Sequence, residues 1–163
     1  MLSRSARAAR TIGGGLLILV ASRAGVLAQS TTAEFNAAVK QAKFAVVGTI
    51  TETRASKRRS SWGDDIIVTT AIIRTDETLR GTPPTWTALE LEGGTLNGVT
   101  MEASDTPLTR QGDRAVFLVD QLPDGRFVAH GKRLGILKLR ADDRVENSEL
   151  TLNDMRVLAR EAR

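Results

Sequence analysis

The chain has 163 residues, with 23 lysines and arginines against 19 aspartates and glutamates, one histidine, no cysteine and no tyrosine. That length predicts one domain, because a second hydrophobic core would need roughly another 100 residues. The lack of cysteine excludes disulfides, thiolate metal sites and cysteine nucleophiles. A hydrophobic content of 41% and a charged content of 26% are ordinary for a folded domain and argue against global disorder.

The first 28 residues have the pattern of a Sec-type signal peptide. A segment with three arginines precedes an uncharged, mainly apolar run at 11–22, and a small-residue cleavage site ends at Ala28, before Gln29. The alternative is an uncleaved membrane anchor, but Arg23 interrupts the apolar run after about twelve residues, too few to cross a bilayer. The sequence predicts a leader at 1–28 and a periplasmic or secreted domain at 29–163.

Removal of this leader would change the net charge of the protein. The leader carries four arginines and no acid, so residues 29–163 hold 19 basic and 19 acidic side chains. The positive charge of the whole chain is therefore no evidence for nucleic-acid binding, and nucleic acid is not an expected partner.

A helix is predicted at each end of the exported part. Thr31 and Glu34 have the spacing of a capping box, and apolar residues at helical intervals follow to about Lys43. Thr151 and Asp154 form a second capping signature. The residues on one face of the helix that follows are apolar, namely Leu152, Met155, Leu158 and Ala162.

The residues between the helices predict six or seven antiparallel strands. Alternating or continuous apolar runs mark them at 44–51, 66–79, 89–92, 99–103, 115–119, 126–130 and 134–139. Gly48 inside the first run indicates a bend or bulge. Gly93 and Gly94 break the third strand, and Asn97-Gly98 predicts a type I′ hairpin turn, because both of its residues accept a positive φ. A polar loop is expected at 55–64.

This pattern favours a small closed β-structure, since closure hides strand edges that would otherwise aggregate. The predicted fold is mainly β, a five-stranded OB-like barrel flanked by an N-terminal and a C-terminal helix. A β-sandwich is the alternative.

Three stretches together resemble a family of exported bacterial domains of uncharacterised function. They are Val46-Val47-Gly48-Thr49-Ile50, Glu77-Thr78-Leu79-Arg80-Gly81 and Gly93-Gly94-Thr95-Leu96-Asn97-Gly98. The family pattern reads as a VVGxV strand, an ExLKG strand end and a GGxxGG hairpin, and an LTLDE-like helix start matches Leu150-Thr151-Leu152-Asn153-Asp154. The chain departs at Asn97, where the family more often has glycine. The resemblance covers most of the exported part, and its motifs are turns, strand ends and caps.

The order of elements is also similar to that of netrin-like modules, the OB-fold group that includes tissue inhibitors of metalloproteases. Those inhibitors chelate zinc through an N-terminal cysteine, which this chain lacks. What this resemblance implies is an extracytoplasmic barrel that grips another protein.

Few residues suggest catalysis or a cofactor. His130 is the only imidazole, so a two-histidine zinc site is excluded, and a histidine at a strand end is the simpler interpretation. Glu90 and Glu92 share one face of a strand at a spacing that glycosidase carboxylates can have, yet their alternation with leucine is that of an outward polar face. The glycines at 93, 94 and 98 lack the helix and the Lys-Ser or Lys-Thr pair of a phosphate loop. No cofactor and no metal are expected.

The loop at 55–64 holds the candidate binding residues Lys57, Arg58, Arg59 and Trp62. Bases beside a tryptophan can bind an anionic polymer, with the indole as a stacking platform. The simpler alternative is a solvated loop with Trp62 folded onto the barrel.

The resulting hypothesis is a non-enzymatic, exported binding or accessory module whose partner is an exported protein or an anionic polymer. One alternative is a regulator or inhibitor of an exported protease. A second is a hydrolase that uses His130 or Glu90 and Glu92.

Overall fold

The computed structural model describes residues 24–60 and 62–162, with side chains from Ala33 onward. The predicted leader therefore lies outside the described residues as far as Arg23. Along the chain, one helix precedes eight strands and a second helix follows them. The elements are α1 (Ala24–Gln41), β1 (Phe44–Arg59), β2 (Asp65–Arg80), β3 (Trp86–Glu92), β4 (Gly94–Leu96), β5 (Val99–Met101), β6 (Arg114–Gln121), β7 (Phe127–Ala129), a 3-10 turn (Lys132–Gly135), β8 (Ile136–Lys138) and α2 (Leu152–Glu161).

Five of the strands close into a barrel. They follow the order β1-β2-β3-β7-β6, and β6 pairs in turn with β1. Every neighbouring pair is antiparallel except β3 and β7, which are parallel at Leu89–Phe127 and Glu90–Val128. β8 continues the pairing along β6 beside β7, and β4 and β5 form a separate hairpin. The predicted mainly β, barrel-like fold with a helix at each end is confirmed.

β1 separates two hydrophobic clusters, and this explains its continuous apolar run. Phe44, Val46 and Ile50 point into the barrel, where they join a cluster from β2, β3 and β6. Ala45 and Val47 point outward into a second cluster that α1 and α2 cover. Because both faces of this strand are buried, neither face carries polar side chains, and its sequence does not alternate between apolar and polar residues.

The bulge predicted at Gly48 is confirmed, since the register with β2 shifts between Val47 and Gly48. A Cβ at this position would lie 2.6 Å from Ile73 Cγ2 and 2.8 Å from the Arg74 carbonyl oxygen. Only glycine lets the two strands approach this closely.

The stretch 77–81 ties both helices to the barrel. Arg156 of α2 binds the Glu77 carboxylate with two guanidinium nitrogens, at 2.9 Å from Nε to Oε1 and 2.8 Å from Nη2 to Oε2. This hydrogen bonding from Arg156 lowers the pKa of Glu77. Arg80 Nη1 donates to the Ala42 carbonyl oxygen at 2.6 Å, just after α1 ends. The end of β2 is thus fixed to the middle of α2 and to the end of α1.

The C-terminal helix begins as predicted. The Thr151 hydroxyl accepts from the Asp154 amide at 3.2 Å, and Asp154 Oδ2 accepts from the Thr151 amide at 2.8 Å. These hydrogen bonds with Thr151 lower the pKa of Asp154. All four apolar residues predicted for the inner face are buried, namely Leu152, Met155, Leu158 and Ala162.

Three predicted boundaries are wrong. Helix α1 begins at Ala24 and not at Thr31, because residues 26–34 contain no glycine or proline that would stop a helix. β1 continues to Arg59, so the first half of the loop predicted at 55–64 is strand. The strand predicted at 134–139 is shorter, because its first residues belong to the 3-10 turn.

Candidate binding surface

β1 and β2 extend beyond the barrel as a two-stranded projection. Pairing of β2 with β3 ends where Val68 faces Glu92, whereas β1 and β2 remain paired from Ser56–Val68 to Arg59–Asp65. We call residues 56–68 the finger. Its backbone ladder explains why a run of polar residues is strand and not loop: the apolar partners come from β2, at Ile66 and Ile67.

The strand geometry divides the three predicted binding bases between two faces of the finger. Lys57 lies opposite Ile67 and Arg59 opposite Asp65, while Arg58 lies opposite Ile66. Successive side chains of a strand point to opposite faces, so Lys57 and Arg59 share one face and Arg58 has the other. The three candidate bases therefore lie on a strand and do not share one face.

Arg58 is part of an ion-pair chain on the outer face of the barrel. Its guanidinium crosses β2 and binds the Glu90 carboxylate on β3. Arg126 Nη1 lies 2.9 Å from the same Glu90 oxygen, and Arg126 Nη2 lies 2.6 Å from Asp124 Oδ2. The Glu90 side chain is only 17% exposed. Arg58 is thus held by a structural partner and is not available as a free cation.

Trp62 stands at the apex of the finger with 90% of its surface exposed. The expectation that it folds onto the barrel is wrong. Hydrogen bonds join the described residues on either side of it: the Ser60 hydroxyl accepts from the Trp62 and Asp64 amides at 3.2 Å each. Arg59 Nε donates to the Gly63 carbonyl oxygen at 3.0 Å, where Gly63 has a φ of 89°. The indole is therefore presented to solvent by a defined backbone.

The hairpin of β4 and β5 lies beside the finger. Asn97 and Gly98 have φ values of 52° and 79°, which confirms the predicted turn with two positive φ angles. Thr69 Oγ1 donates to the Gly93 carbonyl oxygen at 2.7 Å, and a Cβ at Gly94 would collide with that hydroxyl. The glycine pair thus folds the hairpin back against β2, next to the face that carries Lys57.

Apart from Arg58, which is paired with Glu90, the finger carries two basic and two acidic side chains. Lys57 has no ion-pair partner among the described residues, and one nitrogen of Arg59 is used by the turn. Asp64 and Asp65 lie at the same tip and offset these two cations. The surface is therefore an exposed indole within a neutral rim of mixed charges.

His130 is held in a structural contact. Its Nδ1 lies 2.8 Å from Asp120 Oδ2, and the other Asp120 oxygen accepts from the Lys43 amide at 3.3 Å. The histidine side chain is only 16% exposed. These contacts join β6 and β7 to the junction of α1 and β1. Within the described part of the chain, no three histidine or acidic side chains cluster to hold a metal ion.

A groove of about 570 Å³ lies elsewhere on the molecule, between α1 and the segments at 104–107, 133–138 and 145–150. Six apolar residues line it: Phe35, Leu134, Ile136, Leu137, Val145 and Leu150. Glu34, Glu146 and Arg133 also line it and have no ion-pair partner among the described residues. We call this feature the apolar groove. Sequence reasoning missed it because its residues come from four separated segments.

Comparisons with known proteins add no functional information. No family model matches the chain, and no curated protein matches it significantly. In the part of the chain that the structure describes, no helix is both long and apolar enough to cross a membrane. The candidate surface therefore rests on the geometry of the finger.

Proposed function

We propose that the protein is an exported, non-enzymatic binding module that contacts its partner through the finger. The observation that carries this proposal is Trp62, a large aromatic side chain held almost fully in water by a hydrogen-bonded turn. Tryptophan is one of the three residue types enriched at the energetic centre of protein interfaces. The hydrogen bonds that the Ser60 hydroxyl accepts from the Trp62 and Asp64 amides reduce the conformational entropy that this backbone would lose on binding.

Export by cleavage after Ala28 is compatible with the folded domain. Among the α1 side chains that the structure describes, from Ala33 onward, the first buried one is Phe35, so removal of 1–28 leaves every described core residue in place. The mass of the protein recovered outside the cytoplasm tests this directly. A chain beginning at Gln29 is expected, and a full-length chain retained at the membrane would contradict it.

Affinity capture with the exported form, against periplasmic and secreted fractions, tests the binding role. Trp62→Ala and the double variant Lys57→Ser/Arg59→Ser should lose the captured partner, because they alter the exposed tip. Trp86→Ala is the matched control, since Trp86 is the other exposed tryptophan, at 53%, and lies on β3. A partner retained by the Trp62 variant and lost with Trp86→Ala would reject the finger as the contact surface.

A narrower role is regulation of an exported protease. The projection of the finger beyond β3 favours it, because a convex two-stranded tip can enter a cleft that a flat surface cannot. A panel of exported proteases, assayed at micromolar protein, would detect this inhibition. If Trp62→Ala inhibits the protease as strongly as the wild type does, the finger is not the inhibitory surface.

The hydrolase alternative is less favoured by the geometry. Two guanidinium groups bind Glu90, and Asp120 binds His130. A substrate would have to displace these partners before either group could transfer a proton. An activity abolished by Glu90→Gln in a folded variant would revive this alternative.

A further inference from the structure

We propose that the protein associates with itself, with Trp62 of one copy entering the apolar groove of the next. The exposed indole needs an apolar recess, and the chain has one on another part of its surface. Apolar atoms of Phe35, Ile136 and Val145, all buried residues, form the floor of the groove. Its volume of about 570 Å³ is ample for an indole ring.

The charges around the two features are complementary. Lys57 and Arg59 lie on the finger that carries the indole, and Glu34 and Glu146 line the groove without ion-pair partners among the described residues. On the finger, Asp64 and Asp65 are likewise available to Arg133 at the groove. Opposite charges placed around an apolar contact fix its orientation and disfavour other partners.

The contact must form between copies. Trp62 is 90% exposed, so it does not fill the groove of its own chain, and no residue of the finger lines that groove. The hydrogen bonds of the Ser60 turn and the β1–β2 ladder hold the indole away from the rest of the domain. The association is therefore expected to depend on protein concentration.

The two surfaces differ, and this determines the form of the assembly. A contact between unlike patches leaves a free finger at one end of each pair and a free groove at the other. Growth therefore does not stop at a dimer unless a ring closes. A single indole with a small charged rim is a weak interface, so association in the micromolar to millimolar range is expected.

Sedimentation velocity of the purified protein over a wide concentration range tests the proposal. The wild type should show a mass that rises continuously with concentration. Trp62→Ala should weaken the association by more than about tenfold, because a buried tryptophan anchor contributes at least that much. Trp86→Ala should behave like the wild type. A wild type that stays monomeric at millimolar concentration, or equal association of Trp62→Ala, would overturn the proposal.

A mixing experiment distinguishes specific pairing from aggregation. Glu34→Lys/Glu146→Lys changes only exposed side chains of the groove, and Leu134→Lys places a charge inside it. Each of these two groove variants should fail to self-associate. Each keeps an intact finger, however, and Trp62→Ala keeps an intact groove. Either groove variant should therefore form a one-to-one complex with Trp62→Ala. No complex in either mixture would refute the pairing of finger and groove.

Self-association and the proposed partner binding share Trp62 but fail separately. Sedimentation needs only the protein, whereas capture needs a partner. If both proposals are correct, a saturating concentration of the partner should dissociate the self-associated protein, because one Trp62 indole cannot occupy two sites.

Discussion

The barrel interior contains one hydroxyl group that should destabilise the fold. Thr87 on β3 is 1% exposed, lies opposite Ile73, and its Oγ1 has no hydrogen-bond partner among the described residues. A buried hydroxyl without a partner costs about 1–3 kcal/mol of unfolding free energy. Thr87→Val keeps the branched shape and removes that oxygen. We expect it to stabilise the protein by about 1–2 kcal/mol.

The same chemical change at Thr69 provides the control. Thr69 Oγ1 donates to the Gly93 carbonyl oxygen at 2.7 Å, so Thr69→Val loses a hydrogen bond worth about 0.5–1.5 kcal/mol. The two substitutions should therefore move stability in opposite directions. Urea unfolding followed by fluorescence gives both free energies, and an unchanged m-value shows that the unfolded state is comparable.

In thermal unfolding, about 1 kcal/mol corresponds to a shift of roughly 4 °C for a domain of this size. Thr87→Val should raise the melting temperature and Thr69→Val should lower it. A loss of stability in Thr87→Val would refute the reasoning, because it would mean that the Thr87 hydroxyl is satisfied in the folded protein.

Three further predictions concern the ion pair between α2 and β2, the cap of α2 and the bulge in β1. Arg156 lowers the pKa of Glu77 in the folded protein. The ionised Glu77 therefore stabilises the fold fully above the ordinary glutamate pKa of 4.5, and this stabilisation is lost as the pH falls through the lowered pKa of the folded state. Glu77→Gln should cost about 0.5–1 kcal/mol at pH 7 for this half-exposed pair, and the difference in pH-dependent urea unfolding should shrink below about pH 4. Thr151→Ala should cost about 1 kcal/mol in the same assay, through loss of the cap. Gly48→Ala should cost more than 1 kcal/mol in thermal unfolding, because its Cβ meets a neighbouring side chain at 2.6 Å.

If the loss of unfolding free energy in Glu77→Gln stays constant from pH 7 to pH 3, the stabilisation does not come from the ion pair with Arg156. Full stability of Thr151→Ala would show that α2 is held by packing alone, and a neutral Gly48→Ala would show that the β1 bulge can open.

Local chemistry allowed part of this fold to be predicted from the sequence. The cap at Thr151, the turn at Asn97-Gly98 and the bulge at Gly48 all depend on residues with few conformational alternatives, and each is confirmed. The barrel followed from the number and spacing of the strands.

The predictions that were wrong concern features that depend on contacts between distant parts of the chain. Residues 55–59 have no apolar periodicity of their own and become strand because 65–69 pair with them. The exposure of Trp62 could not be predicted, because nothing in its neighbours says whether the finger bends toward the barrel or away from it. The ion pair of Arg58 with Glu90 joins residues from strands that are not adjacent, so composition alone counted that arginine as free.

The two-residue parallel contact between β3 and β7 has a consequence for how the protein folds. The β1–β2 ladder joins neighbouring segments across a short turn, so it can form early at low entropic cost. Closure at Leu89 and Phe127 needs a long intervening chain to be ordered first, and it gains only two paired residues in return. We therefore expect the last step of folding, and the first step of opening, at this join. Native-state hydrogen exchange should find the slowest amides in the barrel part of β1 and, among the five barrel strands, the fastest amides in β7.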